Sequence, residues 1–174
     1  MPTIELVNPI EGALGGYTVA GAPVAGTNEV QTLTIGGTPT AGSFILALDG
    51  IPTASITWNS TNATLLSAIN TALDAKFGAS AIVATAGTLT AGIGTILLTF
   101  SGGAYQKRAV NTMTTVNNLT GTSPTLANVE TTPGVTQTGR DAKLGALLTD
   151  VTNGILYIST TTNPPTWVKV GTQT

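Results

Sequence analysis

Threonine fills 35 of the 174 positions while charge is confined to 14, and neither histidine nor cysteine occurs. A β-branched side chain is stiff at χ1 and packs well on a pleated strand, and its hydroxyl keeps the outer face of a sheet wettable without charge. The chain therefore reads as β-structure whose surface other molecules can cover at little electrostatic cost, since typical soluble domains carry roughly 25% charged residues. A formal net charge of −2 and a mean hydropathy of +0.31 leave a free monomer little repulsion to hold copies apart. Much of the surface is expected to sit against other chains.

The same composition removes whole classes of function. Without cysteine there are no disulfides, thiolate metal sites or thiol nucleophiles. Without histidine the chain lacks the commonest general base near neutral pH and the commonest transition-metal ligand. Serine and threonine hydroxyls have no imidazole partner, and no Gly-x-Ser-x-Gly elbow occurs. The eight acids, Glu5, Glu11, Glu29, Asp49, Asp74, Glu130, Asp141 and Asp150, are scattered, and no calcium-loop spacing is present. No enzymatic activity, cofactor or metal is expected. Six basic residues, of which Lys107 and Arg108 alone are adjacent, cannot track a phosphate backbone, so nucleic acid is not an expected partner. No apolar stretch approaches the ~20 residues of a membrane-spanning helix, and no basic region leads into an apolar run at the N-terminus.

Residues 1–28 mix Ile4, Leu6, Val7, Ile10, Leu14, Tyr17, Val19 and Val24 with Pro2, Pro9, Pro23 and several glycines. That is too hydrophobic for a solvated linker and too interrupted for a long regular element. Two readings stand side by side: an extended arm lying on another chain, or a terminal strand folded back on its own domain.

Residues 29–133 read as one β-rich domain. Glu29–Ile35 alternates apolar and polar residues, then turns at Gly36–Gly42 into the apolar run Ser43–Leu48, which is a hairpin signal. Asp49-Gly50 turns into a third strand, Ile51–Trp58, with Pro52 placed near an edge. Asn59–Asn62 supplies capping side chains, and Leu65, Leu66, Ile69, Leu73 and Phe77 recur near a 3.6-residue period, predicting a helix over about 62–77 closed by Gly78. Ala81–Thr85 and Thr95–Phe100 read as further strands and Ala127–Thr132 as a closing one, while Gln106–Leu119 fits a strand and an irregular helix equally. Gly37–Gly42 and Gly87–Gly92 share the pattern Gly-Thr-x-Thr-Ala-Gly, the same turn chemistry used twice. Residues 134–150 read as a linker and 151–174 as a hairpin, Gly154–Ser159 with Thr166–Val170, in which Tyr157 and Trp167 are available for contact. The fold class is α+β: mainly antiparallel, sandwich-like β-structure with one amphipathic helix, an extended N-terminal arm and a C-terminal hairpin.

The stretch from Glu29-Val-Gln-Thr-Leu-Thr-Ile35 through Thr57-Trp-Asn-Ser-Thr-Asn-Ala-Thr64 and on to Gly121–Gly134 resembles a β-rich module of tailed-phage virion proteins, especially of phages that infect actinobacteria. The tail, Thr149–Ser159 with Pro165–Gln173, resembles terminal hairpins of phage head-fibre and tail-fibre proteins. The resemblance implies a capsid decoration protein on the outer surface of the virion, assembled as a homotrimer on the major capsid protein. The candidate partner-binding residues are Ile4, Leu6, Val7, Ile10, Leu14, Tyr17, Val19, Tyr157 and Trp167. The alternative is a tail-fibre or surface module that recognises a host receptor or glycan through its terminal aromatics.

Overall fold

A computed structural model describes residues 16–162 and 164–171. Of the expected arm, Ile4, Leu6, Val7, Ile10 and Leu14 therefore lie outside the described residues. The described chain forms two compact units, one from Thr27 to Val135 and one from the segments that flank it. Its elements are β1 (Gly16–Val19), β2 (Val30–Leu48), β3 (Ile51–Pro52), β4 (Ile56–Thr57), α1 (Asn62–Phe77), β5 (Ile82–Ala86), β6 (Gly94–Phe100), β7 (Thr114–Thr132), β8 (Leu147–Asp150), β9 (Ile155–Ser159) and β10 (Trp167–Lys169).

In the Thr27–Val135 unit, antiparallel β3, β2, β6 and β5 lie in that order, and β4 and β7 also pair with β2. The expected hairpin between Glu29 and Leu48 is absent. Strand β2 runs straight through Gly36–Gly42 and pairs with β7 from Val30↔Thr132 to Ala47↔Thr114. The glycine and proline cluster makes breaks in register, between Gly36 and Thr38 and between Pro39 and Ala41, and such bulges bend a strand without reversing it. The bend lets β2 change neighbours on its other edge. Val30–Ile35 pair with β6, and Ser43–Leu48 pair with β4 and β3. Gly121 of β7 sits opposite this bend at φ 139°, and a Cβ there would stand 2.2 Å from the Thr38 carbonyl oxygen. No L side chain fits that approach.

The expected strand Ile51–Trp58 is two short ladders separated by Thr53. Its N–H donates to the Leu46 carbonyl (2.8 Å) while its hydroxyl accepts the Leu46 N–H (3.2 Å), so a side chain completes the pairing locally. The expected closing strand Ala127–Thr132 is the end of the longer β7.

Helix α1 occupies Asn62–Phe77 and buries Leu65, Ile69, Ala72 and Leu73, with Leu66 half-buried beside them. It packs on the sheet face formed by Leu33, Ile35, Phe44 and Leu46 of β2 and Ile96, Leu98 and Phe100 of β6, all fully inaccessible. The layer opposite the sheet is thus a helix. Full burial of side chains of this size contributes about 1.5–3 kcal/mol each before conformational entropy is subtracted. Thr61 is the N-cap and makes no side-chain cap bond; Asn59 Oδ1 accepts the Thr61 N–H instead (2.7 Å). Asn62 spans the helix and a turn, donating to Leu89 O (2.8 Å) and accepting from Gly92 N (2.9 Å). Asn70 does the same to β5, donating to Ala84 O (3.0 Å) and accepting from Ala84 N (2.8 Å). Strand β5 ends the sheet, so this amide occupies a slot that another strand would otherwise seek.

The flanking unit is a four-stranded sheet in the order β1, β8, β9, β10, parallel between β1 and β8 and antiparallel elsewhere. This changes the expected segmentation. Residues 134–150, read as a linker, contain β8, whose Leu148 and Asp150 are inaccessible. Residues 16–26, read with the arm, supply β1. A four-residue strand is too short for periodicity to reveal, and its parallel partner is remote in sequence. The C-terminal hairpin, marginal alone in water, gains two strands from that pairing. The β-rich unit closes where Thr27 and Val135 exchange two N–H···O bonds of 2.9 and 3.0 Å, close to the expected 29–133 boundaries.

Candidate interaction surfaces

Cross-strand register sorts the small sheet into two faces. Tyr17, Leu148, Tyr157 and Lys169 share one rung, and Val19, Asp150, Ile155, Ser159 and Trp167 point the same way. The structure thus gathers Tyr17, Val19, Tyr157 and Trp167, the expected partner-binding residues within the described range, on a single face. Each is half-buried there. Trp167 donates its indole N–H to Thr138 O (2.8 Å) and meets the Tyr17 ring edge-on at 5.9 Å. Gly139 lies under the indole so closely that a Cβ would stand 2.7 Å from Cζ2. Residues 137–146 cross over this face, with Gln137, Ala142 and Ala146 buried and the Ser159 hydroxyl donating to Lys143 O. Much of this aromatic surface is therefore spent on packing within its own unit.

Asp150 joins the two ends of that unit. Its Oδ1 accepts N–H bonds from Gly21 (2.8 Å), Thr152 (2.9 Å) and Asn153 (3.1 Å), and Oδ2 accepts the Asn153 side-chain amide (2.7 Å). Loss of hydration opposes ionisation, but the Asn153 side chain and the backbone N–H groups of Asn153, Gly21 and Thr152 outweigh it, so the carboxyl titrates below its ordinary value. A carboxyl depressed in the folded state contributes stability that is fully present above its unfolded value, near 3.9, and is lost as pH falls through the folded value. Acidification below about pH 4 should therefore lower the unfolding midpoint of this unit. An Asp150→Asn variant should start lower and stay flat across that window. Equal acid sensitivity of the two proteins, followed by the Trp167 indole signal, would remove Asp150 as the cause.

The larger sheet has one face under α1 and one face turned outward. On the outward face Thr32 stands between Leu97 and Val129, Thr34 between Thr95 and Ala127, and Thr99 between Val30 and Val83. The Thr32 and Thr131 hydroxyls share a hydrogen bond across the strands. None of these residues is charged, and Val129 is 56% exposed. The alternation of Thr32 and Thr34 with apolar residues was legible, but it could not say that four strands would align into one neutral face.

Charge collects elsewhere on this unit. Glu29, fully inaccessible, accepts the Gln31 side-chain amide at 2.6 Å and the Val110 N–H at 2.6 Å. Gln31 in turn accepts from Met113 N (2.9 Å) and Asn128 Nδ2 (2.7 Å), pinning residues 110–113 to β2 and β7. This network satisfies a buried carboxylate with neutral donors, which serves anchoring. Beside it, Asp49, Tyr105, Arg108 and Glu130 line a hollow of about 430 Å³. Asp49 accepts from Asn111 (2.7 Å), and Arg108 reaches Ala104 O and Ala109 O at 3.4 Å. Among the described residues no three acidic groups converge as metal ligands, and no helix is long and apolar enough to cross a membrane. No protein-family model matches the chain, and no curated protein matches its sequence.

Proposed function

We propose that this chain is a non-enzymatic virion structural protein of the capsid decoration type, binding the outer shell of a tailed phage through the neutral face of its larger sheet. The observation that carries this reading is the alignment of Thr32, Thr34, Thr95, Leu97, Thr99 and Val129 on one outward face without charge. Such a face has no charge to desolvate on contact, and its hydroxyls can exchange water for partner groups. The resemblance of the Glu29–Thr64 and Gly121–Gly134 stretches to phage virion modules supports the same class. In this mechanism the face, together with the hydrophobic N-terminal residues Ile4–Leu14, bridges adjacent subunits of the major capsid protein. Binding only to the assembled lattice stabilises it by linkage, and self-association lets one assembly engage several subunits. A glycan-binding module would need open aromatic faces, whereas Trp167 is packed against Gly139 and Tyr17.

Two measurements test the reading. Quantitative mass spectrometry of purified particles should find the chain in copy numbers comparable with the shell subunits. In co-sedimentation with empty expanded shells, a Thr32→Lys/Thr34→Lys variant should bind at least about tenfold more weakly than the parent, a loss of about 1.4 kcal/mol, at an unchanged unfolding midpoint. Full binding by that variant would reject this face as the contact, and failure of the parent to bind shells would reject the function.

A further inference from the structure

We propose that Asn153 is a latent modification site, kept from closing on Gly154 to a succinimide by Asp150, and that its reaction unfastens the small sheet. Asn153-Gly154 is the one Asn-Gly pair in the chain, and it lies exposed in the turn between β8 and β9. In such a pair the backbone nitrogen of Gly154 can attack the side-chain carbonyl carbon of Asn153, because glycine carries no Cβ to obstruct the approach. A bond forms between that nitrogen and Cγ, and the bond from Cγ to Nδ2 breaks. The proton lost by the Gly154 nitrogen is returned by solvent to Nδ2, which leaves as ammonia, and water then opens the ring to aspartate or isoaspartate.

Both reacting groups are held by one residue. The Gly154 N–H donates to the Asp150 carbonyl (2.8 Å), and the Asn153 side-chain amide donates to Asp150 Oδ2 (2.7 Å). The first bond opposes loss of the proton that makes the nitrogen a nucleophile. The second fixes the amide that has to turn its carbon toward that nitrogen, and bonds to a carboxylate are among the stronger kind. Asp150 Oδ1 pins the same turn through the Thr152 and Asn153 N–H groups (2.9 and 3.1 Å). The product cannot restore this arrangement. A carboxylate at position 153 sets a second negative charge where an amide donated to Asp150, and two carboxylates at hydrogen-bond distance cannot both stay ionised. Asp150 is inaccessible, so salt screens the repulsion poorly. The same carboxylate accepts the Gly21 N–H beside β1, so the disturbance reaches the other end of the unit.

Peptide mass spectrometry of the full chain, aged at mildly alkaline pH, reads ammonia loss and isoaspartate at Asn153. The folded parent should react at least about tenfold more slowly than a free peptide of residues 147–158, the factor expected for one charge-assisted bond. Asp150→Asn leaves one oxygen in place of two, and should react at least about tenfold faster than the parent with the Trp167 indole resonance retained. If that variant loses the resonance, hydrogen exchange replaces it: the Gly154 amide of the parent should exchange at least about tenfold more slowly than in the peptide. Aged parent and Asn153→Asp should both show a lowered small-sheet midpoint, whereas Asn153→Gln, whose longer side chain closes a ring less readily, should not change with ageing. The proposal is overturned by a folded parent that reacts as fast as the peptide, a folded Asp150→Asn as slow as the parent, an unprotected Gly154 amide, or a modified protein with the parent midpoint.

Discussion

An Ile69→Asp variant should fail to fold its larger unit. Ile69 is wholly inaccessible on the face of α1 that covers β2 and β6, with Leu65 and Leu73 one turn to either side. Replacing it removes a buried aliphatic side chain, a loss of about 2–5 kcal/mol for comparable truncations. It also places a carboxylate among Leu, Ile and Phe side chains. That group must either stay ionised without a partner or take up a proton at pH 7, and either outcome adds several kcal/mol. The combined loss rivals the ~5–15 kcal/mol total stability of an ordinary domain. Ile69→Val, which keeps the shape and removes one methylene, should cost about 0.5–1.5 kcal/mol and remain folded. Circular dichroism and urea titration of both variants decide the matter. A soluble Ile69→Asp protein with the parent midpoint would mean that the helix does not present this side chain to the sheet.

That helix was legible because several kinds of signal agree within sixteen residues: apolar spacing, no internal glycine or proline, and a closing Gly78. The long strands were not. In β2 the cluster Gly36-Gly-Thr-Pro-Thr-Ala-Gly42 carries the residues a hairpin turn demands, and a bulged, bent strand demands the same ones. What separates the two outcomes is β7, whose nineteen residues offer a partner along the whole length of β2 and lie about eighty positions later at their pairing centre, as in Thr40 and Thr120. Local chemistry cannot register such a partner. The small sheet failed to appear for the same reason, since β1 and β8 come from opposite ends of the chain and each is four residues long. Of the candidate site, the aromatics Tyr157 and Trp167 were visible as large side chains on a hairpin. Which side of the hairpin they take, and that residues 137–146 fold over that side, depends on the contact with Gly139 and the bond to Thr138.

Removing residues 1–26 should separate the fates of the two units. The deletion takes β1 from the edge of β8, the Gly21 N–H from Asp150, the Tyr17 ring from Trp167 and the Val24 partner from Thr138. It leaves the Thr27–Val135 pairing and every strand of the larger sheet in place. The small sheet then keeps three strands of three to five residues over a reduced core, and Asp150, inaccessible in the intact chain, loses a donor. Such a remnant sits at the three-strand minimum for independent stability, with short strands, less apolar cover and a buried carboxylate short of one donor. Each unit contains one tryptophan, Trp58 in the larger and Trp167 in the smaller, and each indole N–H is held by a carbonyl, of Gly92 and Thr138 respectively. Two indole resonances in a ¹⁵N-correlated proton spectrum therefore report the units separately. The deletion should preserve the Trp58 signal and its thermal transition while shifting the Trp167 signal to the position of an unfolded indole. Retention of both would show that residues 16–26 only decorate the small sheet, and loss of both would show that the larger unit needs the N-terminal segment to fold.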